Sequence, residues 1–380
     1  MLLESVGSEK RLTFDNKPVL VFWETTRACP LACIHCRASA ITEPSPGELS
    51  HSEGIDLIDQ VAEFGKPSPT IIFTGGDPLK RKDLTELLSY ASRRGLNYAL
   101  SPAVSDLLTF ETIKEIKQSG VSSISISLDG ATEETHDAIR NKRGTFRRTE
   151  EVLRNCAIAG LGVQVNTAIM RRNLRELPQI LHLIKGLGVK TWELFFLIQV
   201  GRGSAVEDIS PEDYESVCNF LYDASFYGMT IRAVEAPFIR RVASLRAEND
   251  SYWKNPTYLQ LKADLVRLEG SHVASSTTLA RKGTLDGDGI LFVSNEGKIH
   301  PGGLVPVDLG DVKSSRIPNV YREDTLLKSI RERRFKGPCG SCEYKEICGG
   351  SRARAYSYSG DPLGSDPACV YSRQIIAHGL

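Results

Sequence analysis

From Pro18 to about Glu235 six short β-type runs alternate with amphipathic helical stretches, and this alternation limits the fold of the 380-residue chain more than any other feature. The strand candidates are Val19–Trp23, Thr70–Thr74, Asn97–Ser101, Ser123–Leu128, Gly162–Ala168 and Thr191–Leu197. Helical patterns fill the gaps at Ser52–Phe64, Lys82–Arg94, Thr109–Ser119, Phe146–Ala159 and Leu174–Leu187. Near-continuous apolar strands separated by helices imply a parallel sheet covered by those helices. Six such units suit an α/β fold of the partial (β/α)6 TIM-like barrel type better than a closed ring of eight. Ligands are then expected at the C-terminal ends of the strands.

The remainder of the chain has a different texture. Residues 236–285 are polar and helix-prone, with a loop-like tract at Gly270–Thr278. Ile290–Val293, Asn295-Glu296-Gly297 and Lys298–His300 then read as a β-hairpin opening a cysteine-rich module. The expected division is an N-terminal extension at 1–17, a barrel at 18–235, a connector at 236–285 and a small C-terminal module at 286–380. Forty-seven basic residues balance 47 acidic ones, so no overall field favours nucleic acid. The longest apolar run, Leu194–Val200, is too short for a membrane span. Met1–Arg11 lacks the apolar core of a secretory signal, and the expected location is cytoplasmic.

Seven of the nine cysteines fall in two groups. Outside an oxidising compartment, grouped cysteines point to metal rather than disulfides. Cys156 and Cys218 stand alone within helical patterns and read as inert buried thiols. Cys29-Pro-Leu-Ala-Cys33-Ile-His35-Cys36 follows the first strand as a Cys-x3-Cys-x2-Cys loop. Three thiolates can hold three irons of a 4Fe–4S cube and leave the fourth open to a small chelating molecule, whereas electron-transfer clusters usually take four cysteines. A zinc site with a distant fourth ligand is the alternative. The second group is Cys339-Gly-Ser-Cys342, Cys348-Gly-Gly and Cys369, with twenty residues between Cys348 and Cys369. Four thiolates can close a second cluster completely, with four-cysteine zinc as the rival.

The first motif resembles the cluster loop of the radical S-adenosylmethionine (SAM) superfamily in spacing and position. The resemblance implies that the methionyl group of SAM chelates the open iron and that His35 lies near the adenine. Thr74-Gly75-Gly76-Asp77-Pro78 is similar to the Gly-Gly-Glu-Pro segment that contacts the methionyl amine, with Asp77 in place of the commoner glutamate. Ser125-Ile-Ser127-Leu-Asp129-Gly130, with His136-Asp137 and Arg140, resembles a pattern of the branch with C-terminal cluster domains. It implies Ser127 and Arg140 for the methionyl carboxylate or ribose, Asn166 for the ribose, and Phe195–Leu197 with Gly201-Arg202 beside the adenine.

The second cysteine group resembles the auxiliary-cluster modules called SPASM and twitch domains, and implies a second 4Fe–4S cluster on Cys339, Cys342, Cys348 and Cys369. From Pro18 to Cys369 the chain is also collinear with enzymes of the alternative haem pathways, while Gly289–Gly310 looks like a sister group. These resemblances imply a radical SAM enzyme acting on a tetrapyrrole side chain, for example by decarboxylation, with a flavodoxin or ferredoxin as electron donor. The alternative is a maturase that crosslinks a ribosomally made peptide; that class often adds an N-terminal peptide-binding module, which the 17 or so residues before the first strand do not supply. A plain two-cluster electron carrier would have no use for an open iron. Arg202, Arg352 and Arg354 are expected to face substrate carboxylates, or else to be solvated. Arg331–Arg334 reads as a solvated helix face.

Overall fold

The computed structural model describes residues 13–205, 208–248, 253–271, 276–279 and 283–372. Most of the N-terminal extension and the middle of the Gly270–Thr278 tract lie outside the described residues. Six parallel strands follow the sequence order: β1 (Leu20–Glu24), β2 (Thr70–Thr74), β3 (Asn97–Leu100), β4 (Ser123–Ser127), β5 (Gly162–Ile169) and β6 (Thr191–Phe196). A seventh parallel strand, β7 (Thr230–Val234), extends the sheet beyond β6. Its sequence Thr-Ile-Arg-Ala-Val carries an arginine in mid-strand and is too short and mixed to read as a core strand.

At the other edge the hairpin continues the same sheet. The two-residue β8 (Leu285–Asp286) pairs with β9 (Gly289–Val293), and β9 lies parallel to β1. Two short antiparallel strands follow, β10 (Lys298–His300) and β11 (Gly310–Asp311). The sheet runs β11-β10-β9-β1-β2-β3-β4-β5-β6-β7 and stays open. Among the described residues no helix is long and apolar enough to cross a membrane.

Alternation along the strands sorts side chains between two faces. Val21, Trp23, Ile71, Phe73, Ile124, Ile126, Val165, Trp192 and Leu194 are buried in one apolar cluster beneath the helices. Trp23 fits there because Gly54 of the helix His51–Ala62 leaves room: a Cβ at Gly54 would lie 2.7 Å from the indole. That helix starts on a capping box in which Ser50 and Glu53 satisfy each other's backbone N–H groups. The opposite face forms the barrel lumen and is polar along the ends of β4 to β7. Register aligns Ser127, Asn166, Glu193 and Arg232 as one rung across β4 to β7. The thiols of Cys156 and Cys218 are fully buried, and burial raises both pKa values, that of Cys156 to about 12.

Candidate active site

The loop that carries Cys29, Cys33 and Cys36 leaves the C-terminal end of β1 and is held by backbone and buried side chains. Glu48 accepts hydrogen bonds from the Thr26 hydroxyl at 2.8 Å and the Arg27 N–H at 2.9 Å. Arg37 pairs with Glu24 at 2.9 Å. The Gly75 and Gly76 segment closes on this loop from β2: Gly76 N–H donates to Thr26 O and Asp77 N–H to Ala28 O. A Cβ would come within 2.3 Å of Thr26 O at Gly75 and 2.4 Å of Ala28 O at Gly76, and Gly75 has φ +142°. The glycines are therefore required first by backbone-to-backbone contact. Asp77 is buried; its carboxylate accepts from Ser105 Oγ at 2.7 Å and from Leu79 N–H at 3.2 Å. Burial raises its pKa, against the pull of those hydrogen bonds.

Arg140, at the end of a short helix, faces the loop from beyond β4. Its Nη2 lies 2.5 Å from Asp129 Oδ2, and its Nη1 lies 3.7 Å from Cys33 Sγ. Burial alone would raise the Asp129 pKa, but the Arg140 guanidinium holds the carboxyl below the usual range. His136 Nδ1 accepts the Asp129 N–H at 3.0 Å, and burial lowers its pKa to about 4, so it stays a neutral acceptor. Asp137 binds the Thr145 hydroxyl and the Phe146 N–H, capping the next helix. The His-Asp pair is thus scaffolding for Asp129 and the helix behind it.

His35 Nε2 is 3.9 Å from Asp129 Oδ2. Burial lowers the His35 pKa to about 4, more than Asp129 raises it, so the imidazole is neutral. Its Nδ1 is buried without a hydrogen-bond partner, as are Arg140 Nε and Arg202 Nη2. Orphaned polar atoms of this kind, gathered beside three thiols, fit a bound polar ligand. Leu197 forms an apolar patch with Ile139 and Met170, against which Ile34 and Ala168 pack. Ser127 ends β4 on the lumen side, and Asn166 accepts from Gln164 Nε2 at 2.8 Å. His35, Gly75, Gly76, Asp77, Arg140 and Leu197 thus converge on the cysteine loop, while Ser127 and Asn166 lie on the lumen rung below.

Three arginines depart from expectation. Arg202 is largely tied to the cysteine loop: it donates to Cys33 O and Ala40 O, both at 2.9 Å, while its backbone N–H donates to Cys36 O and Nη2 stays unpartnered. Gly201 beside it has φ +55°, and a Cβ there would lie 2.2 Å from Arg37 O. Arg352 and Arg354 are buried, at 1% and 6% exposure. Arg352 donates to the carbonyls of Gly349, Pro362 and Gly364 and lies over the Phe335 ring. Arg354 donates to Glu235 O at 2.9 Å and pairs with buried Asp366 at 3.1 Å. Nor is Arg331–Arg334 a wholly solvated face, because Arg331 stacks on Tyr321 and Arg333 pairs with Asp288 at 2.8 Å. Arg352, Arg354 and Arg333 satisfy carbonyls or carboxylates that the fold buries, a demand no local sequence pattern displays.

Cys339, Cys342, Cys348 and Cys369 line one recess, with Arg241, Tyr344 and Tyr371 at its walls. Gly349 and Gly350 have φ +75° and +69°, and this turn aims Gly350 N–H at Cys348 Sγ at 3.4 Å. Asp366 N–H points at Cys339 Sγ at the same distance. Burial raises the thiol pKa values of Cys342, Cys348 and Cys369, the last to about 11. Burial likewise raises Cys29 to about 12. Thiols so buried ionise readily only against the positive charge of bound metal. Among the described residues no group of His, Cys, Asp and Glu is drawn together around a single ion. The four thiols line the recess walls instead.

The module sits on the barrel's rim. Val305 and Ala353 pack with Ile198, just beyond β6, and Ser357 Oγ donates to Gln199 O. An open parallel barrel with a three-thiol loop at its strand ends, capped by a four-thiol module, defines an enzyme of the radical-generating iron–sulfur class. The radical SAM superfamily model matches residues 23–184. The chain is 37% identical over 363 residues to the AdoMet-dependent heme synthase of Nitratidesulfovibrio vulgaris, covering 94% of each chain. It is 30% identical over 374 residues to the mycofactocin maturase MftC of Mycobacterium tuberculosis, covering 93% of this chain and 83% of that one. The fold matches SuiB of Streptococcus suis with a TM-score of 0.69 at 14% identity, covering 93% of this chain and 77% of that one. The chain belongs to the radical SAM superfamily and is an enzyme that uses SAM and a 4Fe–4S cluster.

Proposed function

We propose that this enzyme removes or remodels a carboxylated side chain of a tetrapyrrole, and that its C-terminal recess holds a second, fully ligated 4Fe–4S cluster. The similarity along 94% of both chains to a heme synthase carries the reading. Cys29, Cys33 and Cys36 would hold the cluster, which with bound SAM would supply the radical chemistry that takes a hydrogen atom from the substrate. Arg140 offers a guanidinium for the methionyl carboxylate, beside its partner Asp129. Ser127 and Asn166 present polar groups on the lumen face for the ribose, and the Ile139, Met170 and Leu197 patch suits the adenine. Gly75, Gly76 and Asp77 hold the loop edge where the methionyl amine would sit, and His35 would lie near the adenine.

For a propionate side chain the balance is simple. Loss of one hydrogen atom and of carbon dioxide leaves a vinyl group and one surplus electron. The four-thiol recess, seated on the rim, is the proposed destination of that electron, and a flavodoxin or ferredoxin is the proposed source of the first one. With Arg352 and Arg354 committed to the scaffold, two cations near the mouth and lumen are Arg37, paired with Glu24, and Arg232, which donates to Gln164.

Anaerobic titration with iron-coproporphyrin and sirohaem derivatives, followed at the Soret band, tests the substrate class. Micromolar binding is expected, weakened by Arg37→Ala and Arg232→Ala. The similarity to a peptide maturase gives the rival its footing. Absence of binding to every tetrapyrrole would favour a peptide laid along the β7 edge.

A further inference from the structure

We propose that His300 is the protein's ligand to the iron of a metallated tetrapyrrole substrate, bound through Nε2. This inference rests on the tetrapyrrole reading and goes further, because it assigns the contact that would distinguish an iron-bearing macrocycle from a metal-free one.

The strand register fixes which way the residue faces. His300 pairs with Phe292, and Phe292 pairs with Phe22. Their neighbours Val21, Trp23, Leu291, Val293 and Ile299 all enter the helix-side core. By alternation, Phe22, Phe292 and His300 lie on the lumen face of the sheet. His300 is only partly buried there, so a ligand can reach it.

The ring is also set in one tautomer. His300 Nδ1 lies 2.9 Å from the carbonyl oxygen of Val307. A carbonyl can only accept, so Nδ1 carries the proton and Nε2 keeps its lone pair. Among the described residues nothing hydrogen-bonds to Nε2. A histidine whose one N–H is fixed on a backbone carbonyl, with the other nitrogen free, has the arrangement of a metal ligand. Val307 is itself anchored, since it packs against the Ile198, Val305 and Ala353 cluster on the rim.

The surroundings suit a flat, acidic macrocycle. The Phe292 ring lies 6.0 Å from the imidazole with planes 33° apart, giving an apolar flank. The Arg37 guanidinium carbon sits 4.6 Å from the centre of the same Phe292 ring, and Arg37 directly follows Cys36. A substrate iron bound to His300 would therefore be tethered on the wall next to the cysteine loop, with a cation nearby for a side-chain carboxylate. Gly303 keeps this wall open, because a Cβ there would lie 3.1 Å from the Phe292 ring and 3.4 Å from Arg37 Nε.

The test uses the full chain, reconstituted anaerobically, titrated with ferric iron-coproporphyrin and separately with metal-free coproporphyrin. Absorption at the Soret band and the electron paramagnetic resonance of the substrate iron are read. Wild type should bind the iron form more tightly and give the signature of an imidazole ligand. His300→Ala and His300→Gln should bind the iron form roughly tenfold or more weakly. They should lose that signature and leave metal-free binding unchanged. Added imidazole should restore the signature in His300→Ala, which a merely folding-related defect would not allow. Unchanged spectra and affinity in both variants would overturn the assignment to His300 while leaving the tetrapyrrole reading intact. Failure of wild type to bind either compound would overturn both.

Discussion

Arg140 Nη2 stands 2.5 Å from Asp129 Oδ2, and this buried ion pair joins the end of β4 to the cysteine loop through the 3.7 Å contact of Arg140 Nη1 with Cys33 Sγ. Removing one member leaves the other charged in a site that excludes water. Arg140→Ala should therefore destabilise the fold by about 3–5 kcal/mol. It should also weaken SAM binding. Asp129→Asn in the same chain should recover part of the stability but none of the SAM affinity. Denaturant unfolding and SAM titration of both single variants and the double variant would measure this. An additive cycle would mean that the pair is not coupled.

Two cubane clusters imply about eight irons and eight sulfides per chain after anaerobic reconstitution. Replacing Cys29, Cys33 and Cys36 by alanine should leave about four irons, bound by the C-terminal thiols, and abolish formation of 5′-deoxyadenosine. Stoichiometric zinc at Cys339, Cys342, Cys348 and Cys369 in anaerobically purified protein would remove the auxiliary cluster from the reading.

The Gly-Gly pair offers a contrast between packing and conformational strain. Gly76→Ala puts a methyl group 2.4 Å from Ala28 O, so the cysteine loop has to move. Gly228 has φ +80° but open space around it, and Gly228→Ala should cost only about 1–2 kcal/mol of backbone strain. Iron content after reconstitution should fall sharply in Gly76→Ala and stay at the wild-type level in Gly228→Ala. Equal iron content in the two would show that the loop yields without losing its cluster.

Arg354→Ala should act on stability rather than on substrate. Among the described residues it leaves Asp366, fully buried, hydrogen-bonded only by the N–H groups of Ser351 and Ala368. The expected loss is about 3–5 kcal/mol, read by thermal or denaturant unfolding of the reconstituted protein. A variant of wild-type stability with weakened tetrapyrrole binding would return Arg354 to the substrate site.

The strand order of β1 to β6 was legible because alternation of apolar strands and amphipathic helices is a local signal. So was the cysteine loop, whose spacing is chemical. β7 was not, since Arg232 interrupts its apolar pattern for the sake of the lumen. The junction of β9 with β1 joins residues some 270 positions apart, and no local pattern encodes such a pairing. Arginines mislead for the same reason. Arg202, Arg352 and Arg354 look like exposed cations in sequence, yet Arg202 is tied to the carbonyls of the cysteine loop and Arg352 and Arg354 are buried on carbonyls and a carboxylate. Gly75 and Gly76 drew notice as glycines that admit a ligand, whereas the nearest atoms they admit belong to Thr26, Arg27 and Ala28.

Glu193 gives the last prediction, because the fold keeps it at a cost. It lies on the lumen rung between Asn166 and Arg232 and accepts from Gln164 Nε2 at 2.7 Å. Burial raises its pKa, and Arg232 and Gln164 only partly offset that. The folded state therefore holds this proton to higher pH than the unfolded chain does, so its contribution to stability falls as pH rises. The loss begins near the unfolded value of about 4.3 and is complete above the raised folded value. Glu193→Gln removes the ionisation and keeps the shape. Wild type and variant should unfold alike at pH 4, and the variant should be the more stable at pH 8. Parallel pH profiles would show that Glu193 ionises in the fold as freely as in water. If the carboxyl exists to hydrogen-bond substrate in the lumen, the more stable variant should also bind iron-coproporphyrin more weakly. Stability and function would then pull in opposite directions at this one residue.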